Sequence, residues 1–169
     1  MVFPDQSTIF RFMQSMEEFN TIEPIGSIYE NTFQKNQLGN PVSKWKEKKE
    51  GKLIEFVCYC LNPNHYHFLV EQLVDKGIEK FMHRLGLGYT KYFNQRFQRS
   101  GVLFQGPFKA VHVDTNEYIL HLSAYVNLNF KVHQLGNGVS KSSWDEYLKN
   151  SSNFCKKDII LDQFKNVTE

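Results

Sequence analysis

Apolar residues recur along this chain with two different periods. Leu53-Ile54-Glu55-Phe56-Val57-Cys58-Tyr59-Cys60-Leu61 is rich in apolar, aromatic and β-branched residues, the composition of a buried strand. Asn62-Pro63-Asn64 follows. That is turn chemistry, and proline cannot sit in a central ladder. The pattern predicts a β-hairpin with a strand over 53–61, a turn over 62–64 and a strand over 65–72. A strand has period 2, so His65 and His67 share one face while Tyr66 and Phe68 share the other. Helical spacing governs three further stretches. Residues 7–18 carry Ile9, Phe10, Met13 and Met16 near a 3.6-residue repeat, with Ser7 able to cap the start. Residues 75–97 place Ile78, Phe81, Met82, Leu85, Tyr89, Tyr92 and Phe93 at three- and four-residue steps, with Gly86 and Gly88 weakening or kinking the helix. Residues 115–130 put Tyr118, Leu122, Tyr125 and Asn129 on one helix face, with Thr115 or Asp114 as cap.

The connections are less regular. Residues 19–52 hold Pro24, Gly26, Gly39, Pro41 and Gly51 and read as a long loop or insertion. Val102 to Val113 reads as a strand or strand pair interrupted by Gly106-Pro107. Beyond Lys131 the chain is rich in Gly, Asn and Ser, then carries Ser143-Trp144-Asp145-Glu146-Tyr147-Leu148 and the short apolar segment Ile159-Ile160-Leu161. Gln37–Lys44 recurs as Gln134–Lys141, differing only where Pro41 becomes Gly138. Both copies read as exposed loops.

At 169 residues the chain reads as one domain, 1–169, large enough to bury a real core. No apolar run approaches the ~18 residues of a membrane span, and no signal peptide is visible at the N-terminus. Cys58, Cys60 and Cys155 are an odd set without a secretory signal, which favours a reducing, cytoplasmic compartment over a disulfide framework. The net charge of +2 says little about a polyanionic partner, but its distribution says more. From Lys76 to Val113 there are seven Lys or Arg, including Arg84, Lys91, Arg96, Arg99 and Lys109, against the single acid Glu79. Such a block can hold phosphates by displacing counterions, or can form a solvated helix face.

The sharpest chemistry lies at the hairpin. Two imidazoles on one strand face can grip a divalent metal, although a bare His-x-His also suits a half-exposed strand. With helix 115–130 packed on that face, Asn129 supplies a third, oxygen ligand and Tyr125 stands one turn away. Imidazole with amide oxygen and water suits Mg²⁺ or Mn²⁺. A metal there would polarise a phosphodiester, and Tyr125 could attack phosphorus to form a phosphotyrosine link. Tyr118, on the same face, is the rival nucleophile. A zinc reading competes: a two-residue hairpin loop would set Cys60 opposite His65 and Cys58 opposite His67. Four ligands on adjacent flat strands close a tetrahedron poorly.

Tyr59-Cys60-Leu61-Asn62-Pro63-Asn64-His65-Tyr66-His67-Phe68-Leu69 resembles the HUH segment of the single-tyrosine transposases, in particular the REP-associated tyrosine transposases. Tyr92-Phe93-Asn94 with Arg99–Gly106, Tyr125-Val126-Asn127-Leu128-Asn129 and Ser142–Tyr147 resemble three further stretches of that family. The resemblance implies a ferredoxin-like α+β sandwich with a central antiparallel sheet and helices packed on it. It implies His65, His67 and Asn129 as metal ligands and Tyr125 as nucleophile. The implied substrate is single-stranded DNA bearing a hairpin, cut to a 5′-phosphotyrosine and a free 3′-OH. Family members usually open with a strand ahead of the first helix, which this chain starts too late to hold. A sheet short of one strand and a truncated product both stay open. Pro107 stands where the family favours Arg, and Phe130 replaces a usual Pro. The expectation is a metal-dependent transposase on hairpin-bearing DNA, with a homodimer open because Tyr125 could serve its own or a partner's histidines. The rivals are a DNA-binding protein of the same fold without transposition, and a zinc-stabilised interaction protein.

Overall fold

In the computed structural model, residues 1–28, 51–132, 139–149 and 154–164 are described. The elements are α1 (Gln6–Glu18), β1 (Ile54–Asn62), β2 (His65–Gln72), α2 (Gly77–Arg96), α3 (Asn116–Val132), β3 (Lys141–Ser142), α4 (Trp144–Lys149) and α5 (Asp158–Leu161), followed by a 3-10 turn over Asp162–Phe164. The strands form one sheet in the order β2-β1-β3. β3 runs antiparallel to β1, with Cys60 opposite Ser142 and Leu61 opposite Lys141. This is an α+β fold, an antiparallel sheet with helices packed on it. No strand precedes α1 among the described residues.

Two compact units divide the chain. The first takes in Met1–Phe10, Glu55–Glu71 and the described residues from Pro107 onward. Its core packs Val57, Cys58 and Cys60 of β1 and Leu69 of β2 against Val126 of α3 and Ile160 of α5. Nearly every β1 side chain is buried, because α3 covers one face while Phe154 stacks on Phe56 at 5.0 Å on the other. Ser143 anchors the turn into α4. Its Oγ accepts from the Tyr59 N–H at 2.9 Å and donates to Asn127 Oδ1 at 2.6 Å, while its own N–H donates to the Tyr59 carbonyl. Glu146 is also buried, accepting from Tyr59 Oη at 3.2 Å and from the Cys155 N–H at 3.3 Å. Burial, with this carboxylate beside it, pushes the Tyr59 hydroxyl far above the usual phenol range.

The second unit takes in the described residues of Arg11–Ile54 and Gln72–Gly106. The buried face of α2 is Phe81, Leu85, Tyr89 and Phe93, one residue per turn. Phe12 meets Tyr89 edge-on at 4.8 Å, and the Arg11 guanidinium lies 5.2 Å from the Tyr92 ring centroid. Asn20 staples the chain after α1 to β1: its Oδ1 accepts from the N–H groups of Leu53 and Ile54, and its Nδ2 donates to the Ile54 carbonyl.

Two expectations change. Asp5, not Ser7, caps α1: Asp5 Oδ1 accepts from the Thr8 N–H at 2.9 Å and from Ser7 Oγ at 2.8 Å. A carboxylate three residues before the donor reaches it better than a hydroxyl inside the first turn. Residues 102–113 form no strand. Gly101 and Gly106 both sit at φ 88°, outside the extended region that strand pairing needs, and residues 105–112 are all exposed. As the spacing predicts, α2 runs 20 residues through Gly86 and Gly88. The repeated octapeptide lies outside the described residues except for Val139, Ser140 and Lys141, of which the last pairs with Leu61 in the sheet.

Candidate metal and nucleophile site

The hairpin loop is Pro63-Asn64, since β1 ends at Asn62 and β2 begins at His65. The Pro63 carbonyl accepts from the N–H groups of Val2 and Phe3 at 2.6 and 3.0 Å, so the turn is tied down. On β2 the His65 and His67 rings stand on one face with centroids 5.0 Å apart. Tyr66 and Phe68 stand on the other, 4.7 Å apart.

α3 begins under a Thr115 cap, whose Oγ1 accepts from the Tyr118 N–H at 3.2 Å. Its apolar residue Val126 joins the core, and that packing turns Tyr125 and Asn129 toward the histidines. The Tyr125 ring lies 5.8 Å from that of His67, near-perpendicular to it at 70°. Tyr125 is 43% exposed, which leaves its face open to a large substrate. Asn129 is fully buried and accepts through Oδ1 from Asn62 Nδ2 at 2.7 Å.

Hydrogen bonds define the state of His65. Its Nδ1 lies 2.7 Å from Asn64 Oδ1, an atom that can only accept, so Nδ1 carries the proton. Nε2 is then the lone-pair nitrogen, and it lies 3.1 Å from Asn62 Nδ2. A backing acceptor on one ring nitrogen and a lone pair on the other is the arrangement a metal-binding imidazole needs. Asn129 Nδ2 is buried and has no hydrogen-bond partner among the described residues. An orphaned buried donor costs about 1–3 kcal/mol, so the side chain is oriented by what its oxygen meets. Two acceptors, His65 Nε2 and Asn129 Oδ1, therefore converge on a single partly positive group. That donor set fits a hard divalent cation.

The thiols do not join them. Asn62, not Cys60, lies beside His65. Cys58 and Cys60 pack into the apolar core, where burial pushes their thiols up to about 12 and about 11. Among the described residues no three His, Cys, Asp or Glu side chains converge as a zinc site requires. Asn62 takes the place beside His65 that the zinc reading gives to Cys60, and both sulfurs pack into the apolar cluster beneath it.

The basic block divides by what each side chain touches. The Arg84 guanidinium donates to the carbonyls of Thr21 and, at 3.2 Å, Ile22. Arg96 donates to Tyr92 Oη at 2.8 Å, and Arg99 donates to the Val102 carbonyl at 3.2 Å beside the Phe93 ring. Lys91 and Lys109 are exposed. Asn62 is the site residue that sequence reasoning passed over as turn chemistry. Strand alternation carried the signal: it lies two residues beyond Cys60 and faces His65 across a two-residue loop.

The family model described as "Transposase IS200 like" matches residues 27–129, more than half of the chain. The match takes in His65, His67, Tyr125 and Asn129. No curated protein and no solved structure matches the chain.

Proposed function

The chain belongs to the IS200-like transposase family, and from that premise we propose that it cuts and rejoins hairpin-bearing single-stranded DNA through a covalent link to Tyr125. The observation that carries this reading is the half-exposed Tyr125 ring against His67, one helical turn from the buried oxygen of Asn129. A nucleophile needs access to a polymer and polar support beneath it, and the hairpin end of α3 offers both.

In this reading Tyr125 Oη attacks phosphorus in line. The Oη–P bond forms, the P–O3′ bond breaks, and the phenolic proton leaves as the departing 3′-oxygen gains one. The 5′-phosphotyrosine keeps the energy of the phosphodiester, so a second 3′-OH can reverse the step and join a new strand. A divalent cation, Mg²⁺ or Mn²⁺, held by His65, His67 and Asn129 would polarise the scissile phosphate. Asn64 fixes the His65 tautomer, and β2 fixes the spacing of the two rings. Lys91, Arg96, Arg99 and Lys109 hold the DNA backbone by charge. A homodimer, with Tyr125 serving a partner's histidines, belongs to the same reading. No described helix is long and apolar enough to cross a membrane, and a cytoplasmic location places the protein with its substrate.

The test is a denaturing gel of the purified chain incubated with Mn²⁺ and a hairpin-bearing oligonucleotide from the gene's flank. The wild type should yield a protein–DNA adduct. Tyr125→Phe should yield none while retaining DNA binding by gel shift. An adduct from Tyr125→Phe at the wild-type level would overturn the assignment. Binding without any adduct from the wild type would favour a DNA-binding protein that has lost transposition.

A further inference from the structure

Asn62 closes β1 and is fully buried. Its Nδ2 lies 3.1 Å from His65 Nε2 and 2.7 Å from Asn129 Oδ1. Both of those atoms are acceptors, and both are ligands in the function proposed above. A hard cation takes its ligands at about 2.1 Å, shorter than either hydrogen bond. It cannot share both acceptors with amide protons that lie between them, because those protons would face its charge. The Asn62 amide must therefore change when the site is loaded.

Two changes are open to it. The side chain could swing away, or its amide could turn by half a revolution about its last bond. Burial decides between them. Asn62 has no exposed surface, and its Oδ1 lies 3.7 Å from the sulfur of buried Cys60. Swinging out would open the contact between β1 and α3. The half-turn only exchanges oxygen and nitrogen, about a torsion whose preferences are broad. Afterwards Oδ1 faces the cation, and Nδ2 faces the Cys60 sulfur, which can accept weakly. Asn129 needs no turn, since its oxygen already faces the site and its Nδ2 has no partner among the described residues to hold it otherwise.

We propose that Asn62 is itself a ligand of the divalent cation through Oδ1, and that in the cation-free protein the same amide is reversed and holds His65 Nε2 and Asn129 Oδ1 in position. The proposal rests on His65, His67 and Asn129 being cation ligands. It adds an oxygen to two imidazoles and one amide, shifting the site further toward Mg²⁺ and Mn²⁺.

The experiment is Mn²⁺ binding to the full chain without DNA, followed by calorimetry, for the wild type, His67→Ala and Asn62→Leu. The wild type should bind, and His67→Ala should lose binding. Asn62→Leu should bind at least ~10-fold more weakly, the scale of loss when a group supporting a metal site is removed. Asn62→Leu binding as tightly as the wild type, or more tightly, would overturn the proposal, because Asn62 would then only compete for the ligands. A wild type that binds no Mn²⁺ would remove the metal reading itself. Since Asn62→Leu alters a buried position and can unfold the chain, a second measurement uses the wild type alone. On titration with Mg²⁺, the side-chain amide resonances of Asn62 and Asn129 should move together. An Asn62 resonance that stays in place while that of Asn129 moves would also overturn the proposal.

Discussion

Tyr118 and Tyr125 lie on α3 with 39% and 43% exposure, so access to solvent does not choose between them. Position does. Tyr125 stands against His67, and Tyr118 lies about 10 Å further along the axis at ~1.5 Å per residue. Tyr118→Phe should retain the covalent adduct that Tyr125→Phe loses; the reverse pattern on a denaturing gel would exchange their roles. Ser143 poses a different question at the same scale. Its hydroxyl is fully buried and serves the Tyr59 N–H and Asn127 Oδ1 together. Ser143→Ala strands both, at about 1–3 kcal/mol for a buried group left unsatisfied. The urea midpoint should fall accordingly, and an unchanged midpoint would mean that the strand and helix readjust to re-pair those groups.

At the scale of elements, the two glycines of α2 separate helix propensity from packing. A Cβ at Gly86 would meet nothing within 4 Å, whereas one at Gly88 would lie 2.3 Å from the Phe19 ring. Gly86→Ala should therefore stabilise the protein by up to about 1 kcal/mol, the intrinsic gain in a helix interior. Gly88→Ala should destabilise it despite the same gain, because Phe19 is buried and has little room to give. Thermal unfolding checks both, and equal shifts for the two substitutions would show that the close approach is not maintained. From the spacing of apolar residues, Gly88 is only a defect in a helix. Its purpose depends on Phe19, which precedes it by many residues and lies beyond the end of α1.

For the whole molecule, charge matters through its placement. The net charge is +2, yet between Lys76 and Lys109 seven basic residues face a single acid, Glu79. DNA affinity should fall steeply with salt, and each phosphate contact removed should lower the log–log slope by about 0.7 for a single strand. Lys91→Ala should show that loss in fluorescence anisotropy across a salt series. Arg84→Ala should leave the slope nearly unchanged, since its guanidinium already serves the Thr21 and Ile22 carbonyls. An equal loss from both would mean that Arg84 reaches DNA from its place on those carbonyls.

The hairpin, the two long helices and the shared face of His65 and His67 follow from the sequence by itself, because strand and helix periods act over a few neighbouring residues. The family was legible for the same reason, its motifs being short and local. Tertiary structure alone decided which buried polar atoms meet. Asn62 finds Asn129 across 67 residues, and Tyr59 finds Ser143 across 84. It also set Asn62 rather than a thiol beside His65, packed both strand thiols into the core, and left residues 102–113 without a strand partner. Periodicity states which side of an element a residue takes. It does not state what packs there, and a buried amide, thiol or hydroxyl takes its role from the atoms that packing brings within hydrogen-bond reach.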